Sequence, residues 1–202
     1  KAFHFSKKMQ LRKKWARMKI SERLSSLKGS RITILGFGSI GQCIGRFLKP
    51  YGCTITGIKR TFIKDPDYFE SSDRITIIEN IDQVLEKTDH LILALPGGVE
   101  TQGILTYELL SKLPEHCYLY NIGRGSVYEE RDLVAVLEEK KIAGAYLDVF
   151  SNEPLSEKSF FWEMDNVLIQ PHISAASPHY LDLFVEEIAK QIKNLKENNL
   201  SR

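Results

Sequence analysis

Three polar side chains of different chemical types follow apolar runs in the last part of the chain. Arg124 stands in Asn-Ile-Gly-Arg-Gly, Glu153 ends Leu-Asp-Val-Phe-Ser-Asn-Glu, and His172 follows Gln-Pro. Ligands of a parallel α/β sheet bind at the carboxyl ends of its strands, so we expect these side chains to meet there. A guanidinium donates two parallel hydrogen bonds to a carboxylate, and an imidazole gives or takes a proton near neutral pH. The set therefore predicts a site that holds an acid and moves a proton.

Each of these side chains also has an ordinary structural explanation. Arg124 could cap the strand, or pair with Glu129 or Glu130, the acids that follow it. Glu153 precedes a proline and could be an exposed acid of a turn. His172 could be a buried structural histidine. The other four histidines are weaker candidates, because none of them follows a late apolar run.

The elements that must position these side chains alternate between strands and helices from residue 30 onward. Apolar runs predict strands over residues 31–35, 53–58, 74–78, 90–95, 118–122, 142–149 and 167–169. Helical spacing predicts helices over residues 39–49, 81–87, 101–110, 129–140 and about 178–198. The strand runs are continuously apolar, which is typical of parallel strands covered by helices on both faces. The pattern predicts an α/β fold with a doubly wound parallel sheet.

A glycine-rich loop joins the first predicted strand to the first predicted helix of this sheet. It reads Gly36-Phe37-Gly38-Ser39-Ile40-Gly41. In such a loop the first glycine permits a tight turn, the second lets backbone amides approach a pyrophosphate, and the third lets helix and strand pack closely. The pyrophosphate lies at the helix N-terminus, where unpaired N–H groups favour negative charge. An ordinary strand–helix turn is the alternative, but the motif's position favours a Rossmann-type dinucleotide-binding domain.

The end of the second predicted strand indicates which dinucleotide binds. NAD-selective sites usually carry an acidic residue there, whereas this chain has Lys59, Arg60 and Thr61. Two cations and a hydroxyl suit a 2′-phosphate, because guanidinium groups bind phosphate oxygens in pairs. We therefore favour NADP(H) as the cofactor. NAD(H) remains the alternative, with the basic residues as a solvated loop.

Taken together, the motifs resemble the D-2-hydroxyacid dehydrogenase family, particularly its glyoxylate/hydroxypyruvate reductase branch. The resemblance covers roughly residues 28–200, and its motifs occur in the family's order. They are Gly36–Gly41, Leu95-Pro96 with Thr101, Asn121–Gly125, Ala145–Phe150 with Glu153-Pro154, and Pro171–Ile173.

The resemblance implies an oxidoreductase that transfers a hydride between NADP(H) and a small 2-oxo acid or D-2-hydroxy acid. Arg124 would bind the substrate, His172 would be the general acid/base, and Glu153 would hydrogen-bond the imidazole. Asp148 would lie near the nicotinamide carboxamide. Besides the glycine loop, the implied cofactor-binding residues are Leu95, Pro96, Thr101, Ile122, Gly123, Asp148, His172 and Ser174.

Two other functions remain open at this stage. The family includes transcriptional corepressors, so the chain could be a dinucleotide-sensing binding module without catalytic turnover. It could also be a short protein that binds the cofactor without catalysis. The family implies a homodimer. Cys43, Cys53 and Cys117 have no metal-ligand spacing, so we expect no metal.

Residues outside the sheet predict how the chain is organised. We expect residues 1–27 to be an interdomain crossing helix and the remnant of a substrate domain, residues 28–175 the dinucleotide-binding domain, and residues 176–202 a helix that returns to the substrate domain. Leu11, Trp15 and Met18 have the spacing of one helical face, which favours an amphipathic helix packed on the domain. The basic segment around them could instead bind a membrane or nucleic acid, or act as a transit peptide.

Much of the family's substrate lobe has no counterpart before the first strand, so we expect this fragment to be inactive alone. The helix near the C-terminus would then keep part of its apolar face exposed, which favours self-association.

Composition narrows the classes of partner and the cellular location that we expect for this protein. The chain has 202 residues, a net charge of +2 and three cysteines. The small net charge predicts no nucleic-acid partner, and no run approaches the roughly 20 apolar residues that a membrane helix needs. The scattered thiols suit a reducing compartment and predict a cytoplasmic protein. Cys43 and Cys53 fall in segments that we expect in the core.

Overall fold

Parallel strands form one sheet in the computed structural model, which describes residues 2–22, 24–61 and 63–200. Within these residues the sheet has seven strands, in the order β3-β2-β1-β4-β5-β6-β7. The strands are β1 (Arg31–Leu35), β2 (Thr54–Lys59), β3 (Arg74–Ile77), β4 (His90–Leu93), β5 (Tyr118–Asn121), β6 (Gly144–Leu147) and β7 (Val167–Ile169). Every pairing is parallel. The predicted doubly wound parallel sheet is confirmed.

The strand order reverses direction at β1, which has β2 on one side and β4 on the other. This reversal is the point of a doubly wound sheet where a crevice opens at the carboxyl edge. The register aligns the strand ends along that edge. One row runs across it through Leu35, Leu93, Asn121, Leu147 and Ile169. The loops that follow these strands therefore begin at the same level.

The helices lie between the strands and at both ends of the chain. They are α1 (Phe3–Leu11), α2 (Arg17–Ser21), α3 (Ser39–Leu48), α4 (Ile81–Leu85), α5 (Tyr107–Leu110), α6 (Glu130–Glu138) and α7 (Tyr180–Leu200). The predicted helix over residues 101–110 is wrong for its first six residues. Gly103 has a positive φ of 60°, and its N–H donates to the Ser126 carbonyl at 2.8 Å. Thr106 then accepts a hydrogen bond from the Leu109 N–H, so α5 begins only after it.

The N-terminal segment differs from the single amphipathic helix that the spacing predicts. α1 ends at Leu11, and α2 begins only at Arg17. Leu11, Trp15 and Met18 are all exposed, and Trp15 is 95% exposed. Met9 of α1 is buried, and Lys8 forms an ion pair with Asp165. Arg12, Lys13 and Lys14 have no acidic residue three or four positions away in the sequence, so no such pair supports a continuous helix there.

The chain divides into two compact units, residues 1–172 and residues 173–202. The N-terminal segment falls in the first unit. The role of the terminal segments as parts of a substrate domain stays a prediction. In the second unit, α7 exposes apolar side chains at Leu181, Phe184, Val185, Ile188 and Ile192.

Apolar side chains pack on the sheet in two clusters. The larger lies around β4, β5 and β6, where Leu133, Val136 and Leu137 of α6 are buried as their spacing predicts. The smaller lies around β1 and β2. Cys53 and Cys117 are buried, whereas Cys43 is exposed on α3 and is not the core residue that we expected. Among the described residues, no helix is long and apolar enough to cross a membrane.

Candidate active site

The loops after β5, β6 and β7 carry the three side chains that the sequence singles out. Arg124 follows β5, Glu153 follows β6 and His172 follows β7. These strands are neighbours in the sheet, and their last residues lie in one register row. The three side chains therefore belong to adjacent loops of the same edge.

Glu153 and His172 form a direct pair. Nδ1 of His172 lies 2.8 Å from Oε2 of Glu153, and Oε1 of Glu153 accepts a hydrogen bond from the Phe150 N–H at 2.9 Å. Burial alone would raise the pKa of Glu153, but the hydrogen bonds from His172 and Phe150 outweigh it and lower that pKa below its ordinary value. Glu153 is therefore ionised at neutral pH and accepts from Nδ1–H, so Nε2 is the ring nitrogen that can transfer a proton.

The backbone of His172 fixes where its ring stands. Its φ is +55°, a left-handed conformation that histidine adopts more readily than most side chains. Its N–H donates to the Asp148 carbonyl at 2.8 Å, which joins the loop after β7 to the loop after β6. The His172 side chain is 49% exposed and that of Glu153 is 36% exposed. His172 is thus not a buried structural histidine, and Glu153 is not an unpaired turn acid.

A buried asparagine holds the loop that carries Arg124. Nδ2 of Asn121 donates to the Arg124 carbonyl at 3.0 Å and to the Tyr128 hydroxyl at 3.1 Å, and Oδ1 accepts from the Gly123 N–H at 3.1 Å. Asn121 is fully buried. Asn121 and Tyr128 were not among the predicted site residues, although Asn121 opens the motif that contains Arg124. The sequence signal that could have identified Asn121 is its position as a polar residue at the end of an apolar strand.

The Arg124 side chain is exposed, and its Nη1 donates to the Gly123 carbonyl at 2.7 Å. In the part of the chain that the structure describes, no carboxylate pairs with Arg124. Glu130 instead accepts a hydrogen bond from the Ser151 N–H at 2.9 Å. The pairing of Arg124 with Glu129 or Glu130 is therefore not observed, and most donors of the guanidinium face solvent.

The glycine loop has the shape that a pyrophosphate needs. Gly36 has a φ of 100°, and a Cβ there would lie 2.6 Å from the Ala94 carbonyl carbon. A Cβ on Gly41 would lie 2.5 Å from the Gly36 carbonyl oxygen, whereas one on Gly38 would meet nothing within 4 Å. The loop is thus packed tightly on its protein side and open where α3 begins. Ser39 and Ile40 are exposed in the first turn of α3, whose N–H groups favour an anion. These residues fit a dinucleotide.

Phe37 differs from the other residues predicted to bind the cofactor. Its ring is fully buried in the smaller cluster, and its N–H donates to the Ile58 carbonyl at 3.1 Å. A Cβ on Gly57 would lie 2.4 Å from this ring, so the Phe37 ring packs directly against the backbone of Gly57. Phe37 is therefore a core residue that supports the loop from below, and its contact with the cofactor stays a prediction.

Apart from Ser174, the remaining predicted cofactor residues are spread along the same edge. Leu95 packs against the larger cluster, and Pro96 is exposed after β4. The Thr101 hydroxyl donates to the Pro96 carbonyl at 2.9 Å, so it stabilises the turn itself. Asp148 is buried at the end of β6. The other three are Ile122, which is half-buried, Gly123, which is buried, and Ser174, which lies in the second compact unit. Their contacts with a cofactor stay predictions.

The basic residues after β2 include one with an unexpected partner. Lys59 is the last residue of β2 and half-buried, and Arg60 and Thr61 are exposed. Arg60 forms an ion pair with Glu100, which lies in the loop after β4. No pattern in the sequence pointed to this pair, because the two residues are brought together only by the order of the strands.

Comparisons with known proteins agree with this geometry. Residues 1–174 match the family model described as D-isomer specific 2-hydroxyacid dehydrogenase, NAD binding domain. The chain is 34% identical over 182 residues to a glyoxylate/hydroxypyruvate reductase of Arabidopsis thaliana, covering 90% of this chain and 53% of that protein. It is 33% identical over 174 residues to the glyoxylate reductase of Pyrococcus furiosus, covering 86% and 50%. The chain thus spans about half the length of these relatives.

The fold is also found among solved structures. An NADPH-dependent glyoxylate/hydroxypyruvate reductase from Sinorhizobium meliloti, in complex with NADP and sulfate, superposes with a TM-score of 0.78 at 29% identity. The superposition covers 97% of this chain and 60% of that one. The family model, the sequence relatives and the fold therefore agree. The resemblance read from the motifs is confirmed, and the chain belongs to the D-isomer specific 2-hydroxyacid dehydrogenase family as its NAD-binding domain.

Proposed function

We propose that this chain is the nucleotide-binding part of an NADP(H)-dependent reductase that acts on a small 2-oxo acid of the glyoxylate or hydroxypyruvate kind. The observation that carries the proposal is the pair between His172 Nδ1 and Glu153 Oε2, at 2.8 Å. A half-exposed imidazole backed by an ionised carboxylate is the arrangement that a general acid needs at neutral pH. The relatives named glyoxylate or hydroxypyruvate reductase support the choice of substrate.

Each side chain has a defined task in the proposed reaction. Arg124 binds the carboxylate of the 2-oxo acid, because its exposed guanidinium can donate two parallel hydrogen bonds. A nicotinamide cofactor held by the glycine loop would supply the hydride for the 2-oxo carbon. As negative charge develops on the carbonyl oxygen, His172 donates a proton to it from Nε2. Glu153 stabilises the protonated ring before this transfer and keeps Nδ1 turned away from the substrate.

Two features support NADP(H) over NAD(H). The end of β2 reads Lys59-Arg60-Thr61, with no acid at the place where NAD-selective sites usually accept hydrogen bonds from a free ribose hydroxyl. The Sinorhizobium meliloti reductase is described as NADPH-dependent. The glycine loop would hold the pyrophosphate, with Gly38 leaving room above the first turn of α3.

Oxidation of NADPH by the intact protein that contains this chain tests the proposal. With glyoxylate or hydroxypyruvate we expect turnover that His172→Gln lowers by about 10²- to 10⁴-fold, the contribution of general acid catalysis. Binding of NADPH should weaken far less than turnover falls in this variant. If the intact protein binds NADPH but turns over no 2-oxo acid, the dinucleotide-sensing module becomes the better description.

The proposal also covers the activity of the chain alone, its oligomeric state and its location. The 202-residue chain alone should reduce these acids poorly, because it spans about half the length of the relatives. Arg124 is the one residue for which we propose a role in binding the substrate carboxylate. Brisk turnover by the chain alone would contradict this. We also propose a homodimer, as the family implies, and a cytoplasmic location, as the three scattered cysteines favour.

A further inference from the structure

The ion pair between Arg60 and Glu100 joins two loops across the proposed cofactor cleft. Arg60 follows β2 and Glu100 lies in the loop after β4, and these strands flank β1 on opposite sides. Neighbouring strands lie about 4.8 Å apart, so the pair spans roughly 10 Å over the end of β1. The glycine loop starts at the same place, with Gly36 directly after β1. The pair therefore bridges the crevice where the sheet changes direction.

We propose that Glu100 is a specificity-determining residue, because it holds Arg60 in an ion pair that the 2′-phosphate of NADP(H) must replace. This inference rests on the proposed function, in which Arg60 binds that phosphate. A phosphate monoester carries between one and two negative charges at neutral pH, so it and the Glu100 carboxylate compete for one guanidinium and repel each other. NAD(H) lacks the phosphate and leaves the pair intact. Glu100 thus weakens NADP(H) binding without affecting NAD(H).

The exposure of the pair sets the size of this effect. The side chains of Arg60 and Glu100 are 76% and 75% exposed. Exposed ion pairs are weak and are screened by salt, so the phosphate can displace Glu100 readily. Lys59 is half-buried at the end of β2 and adds a second cation beside Arg60. Glu100 therefore adjusts the preference between the cofactors and does not block the phosphorylated one.

Binding of two adenosine nucleotides by the chain tests this role without relying on catalysis. The probes are adenosine 2′,5′-bisphosphate, which carries the 2′-phosphate, and AMP, which lacks it. We expect Glu100→Gln to tighten binding of the bisphosphate about two- to fivefold in calorimetry at low salt, the effect of one exposed pair. Binding of AMP should not change, and the gain should shrink as salt is added.

A matched control removes the same charge elsewhere. Glu86 is exposed just before β4, at the amino edge of the sheet, so Glu86→Gln should leave binding of both nucleotides unchanged. Weaker binding of the bisphosphate by Glu100→Gln would show that Glu100 orients Arg60, which overturns the proposal. An equal change for both nucleotides would overturn it as well, because the loop itself would then be altered.

Nucleotide binding by the wild-type chain distinguishes failure of the proposed role of Glu100 from failure of the proposed NADP(H) preference. If it binds the bisphosphate more tightly than AMP and Glu100→Gln leaves that ratio unchanged, the role of Glu100 is wrong and the proposed NADP(H) preference stands. If the wild-type chain does not distinguish the two nucleotides, the NADP(H) preference fails, and the role of Glu100 fails with it.

Discussion

At the scale of single residues, Glu153 connects the backbone of its own loop to the proposed general acid. One carboxylate oxygen accepts from the Phe150 N–H and the other faces His172. Burial would raise the pKa of Glu153, but these hydrogen bonds lower it overall. Because the pKa of Glu153 is lowered, its carboxylate is ionised at neutral pH. The negative charge is lost only as the pH falls through that lowered pKa. The pair is therefore intact throughout the neutral range.

This pairing predicts the behaviour of Glu153→Gln in the intact protein. Glutamine keeps an acceptor but carries no charge, so it cannot stabilise the protonated imidazole of His172. We expect kcat for 2-oxo acid reduction to fall about 10- to 100-fold, less than the loss of the general acid itself, with the Kd for NADPH unchanged.

The conservative variant Glu153→Asp is the control for this prediction. It keeps the charge on a shorter side chain and should restore part of kcat. If Glu153→Gln has wild-type kcat, Glu153 has no part in positioning His172.

At the scale of elements, the loops after β5 and β6 are in direct contact. A Cβ on Gly125 would lie 2.0 Å from the Phe150 carbonyl carbon and 2.3 Å from the Ser151 nitrogen. The Ser151 N–H donates to Glu130 at the start of α6, which fixes the same contact from the other side. The loop that presents Arg124 and the loop that presents Glu153 therefore share one rigid backbone junction.

Gly125→Ala tests this junction. The added methyl would overlap backbone atoms of the neighbouring loop, which cannot rotate away as a flexible side chain can. We expect the free energy of unfolding to fall by about 1–3 kcal/mol, the usual cost of overpacking. Denaturant titration measures it. Gly98→Ala is the matched control, because a Cβ there meets nothing within 4 Å, and it should be close to neutral. Equal stability of the two variants would contradict the junction.

The strands could be predicted from the sequence because each is a short apolar run that must be buried. β1 and β7 have the predicted bounds, and the other strands differ from them by a few residues at an end. The conformation of residues 101–106 could not be predicted, because the N–H groups of Gly103 and Leu105 donate to the carbonyls of Ser126 and Val127, which lie in another loop. The Arg60–Glu100 pair and the Asn121–Tyr128 hydrogen bond were missed for a similar reason. Side-chain pairs between loops depend on tertiary packing, which local sequence patterns do not predict.

At the scale of the whole first unit, the two edges of the sheet carry different kinds of polar groups. The carboxyl edge presents Arg124, Glu153 and His172 in exposed or half-exposed positions. The amino edge instead ties strands together through Asp89, which lies just before β4. Its carboxylate accepts from the Arg31 N–H at 2.7 Å, from the Arg31 guanidinium, and from His116 Nε2 at 2.9 Å. This edge joins the starts of β1, β4 and β5.

Asp89 should make the stability of the protein depend on pH at this edge. Burial would raise the pKa of Asp89, but hydrogen bonds from Arg31 and His116 hold it well below its ordinary value. A carboxyl group with a lowered pKa in the folded state stabilises the fold above its unfolded pKa of about 4, and that contribution is lost as the pH falls further. Acid therefore weakens the amino edge by protonating Asp89, after which Arg31 loses its counter-charge.

Asp89→Asn should lower the free energy of unfolding at neutral pH by about 2 kcal/mol, because charge-assisted hydrogen bonds to Arg31 are lost. The variant should also lose less stability than the wild type between neutral and acid pH, since the titrating group is gone. Denaturant titrations across that range measure both effects. Asp82→Asn is the control: Asp82 pairs with Lys112 at a more exposed position, so its loss should cost little at any pH. Parallel stability curves for the wild type and Asp89→Asn would show that the acid dependence arises elsewhere in the molecule.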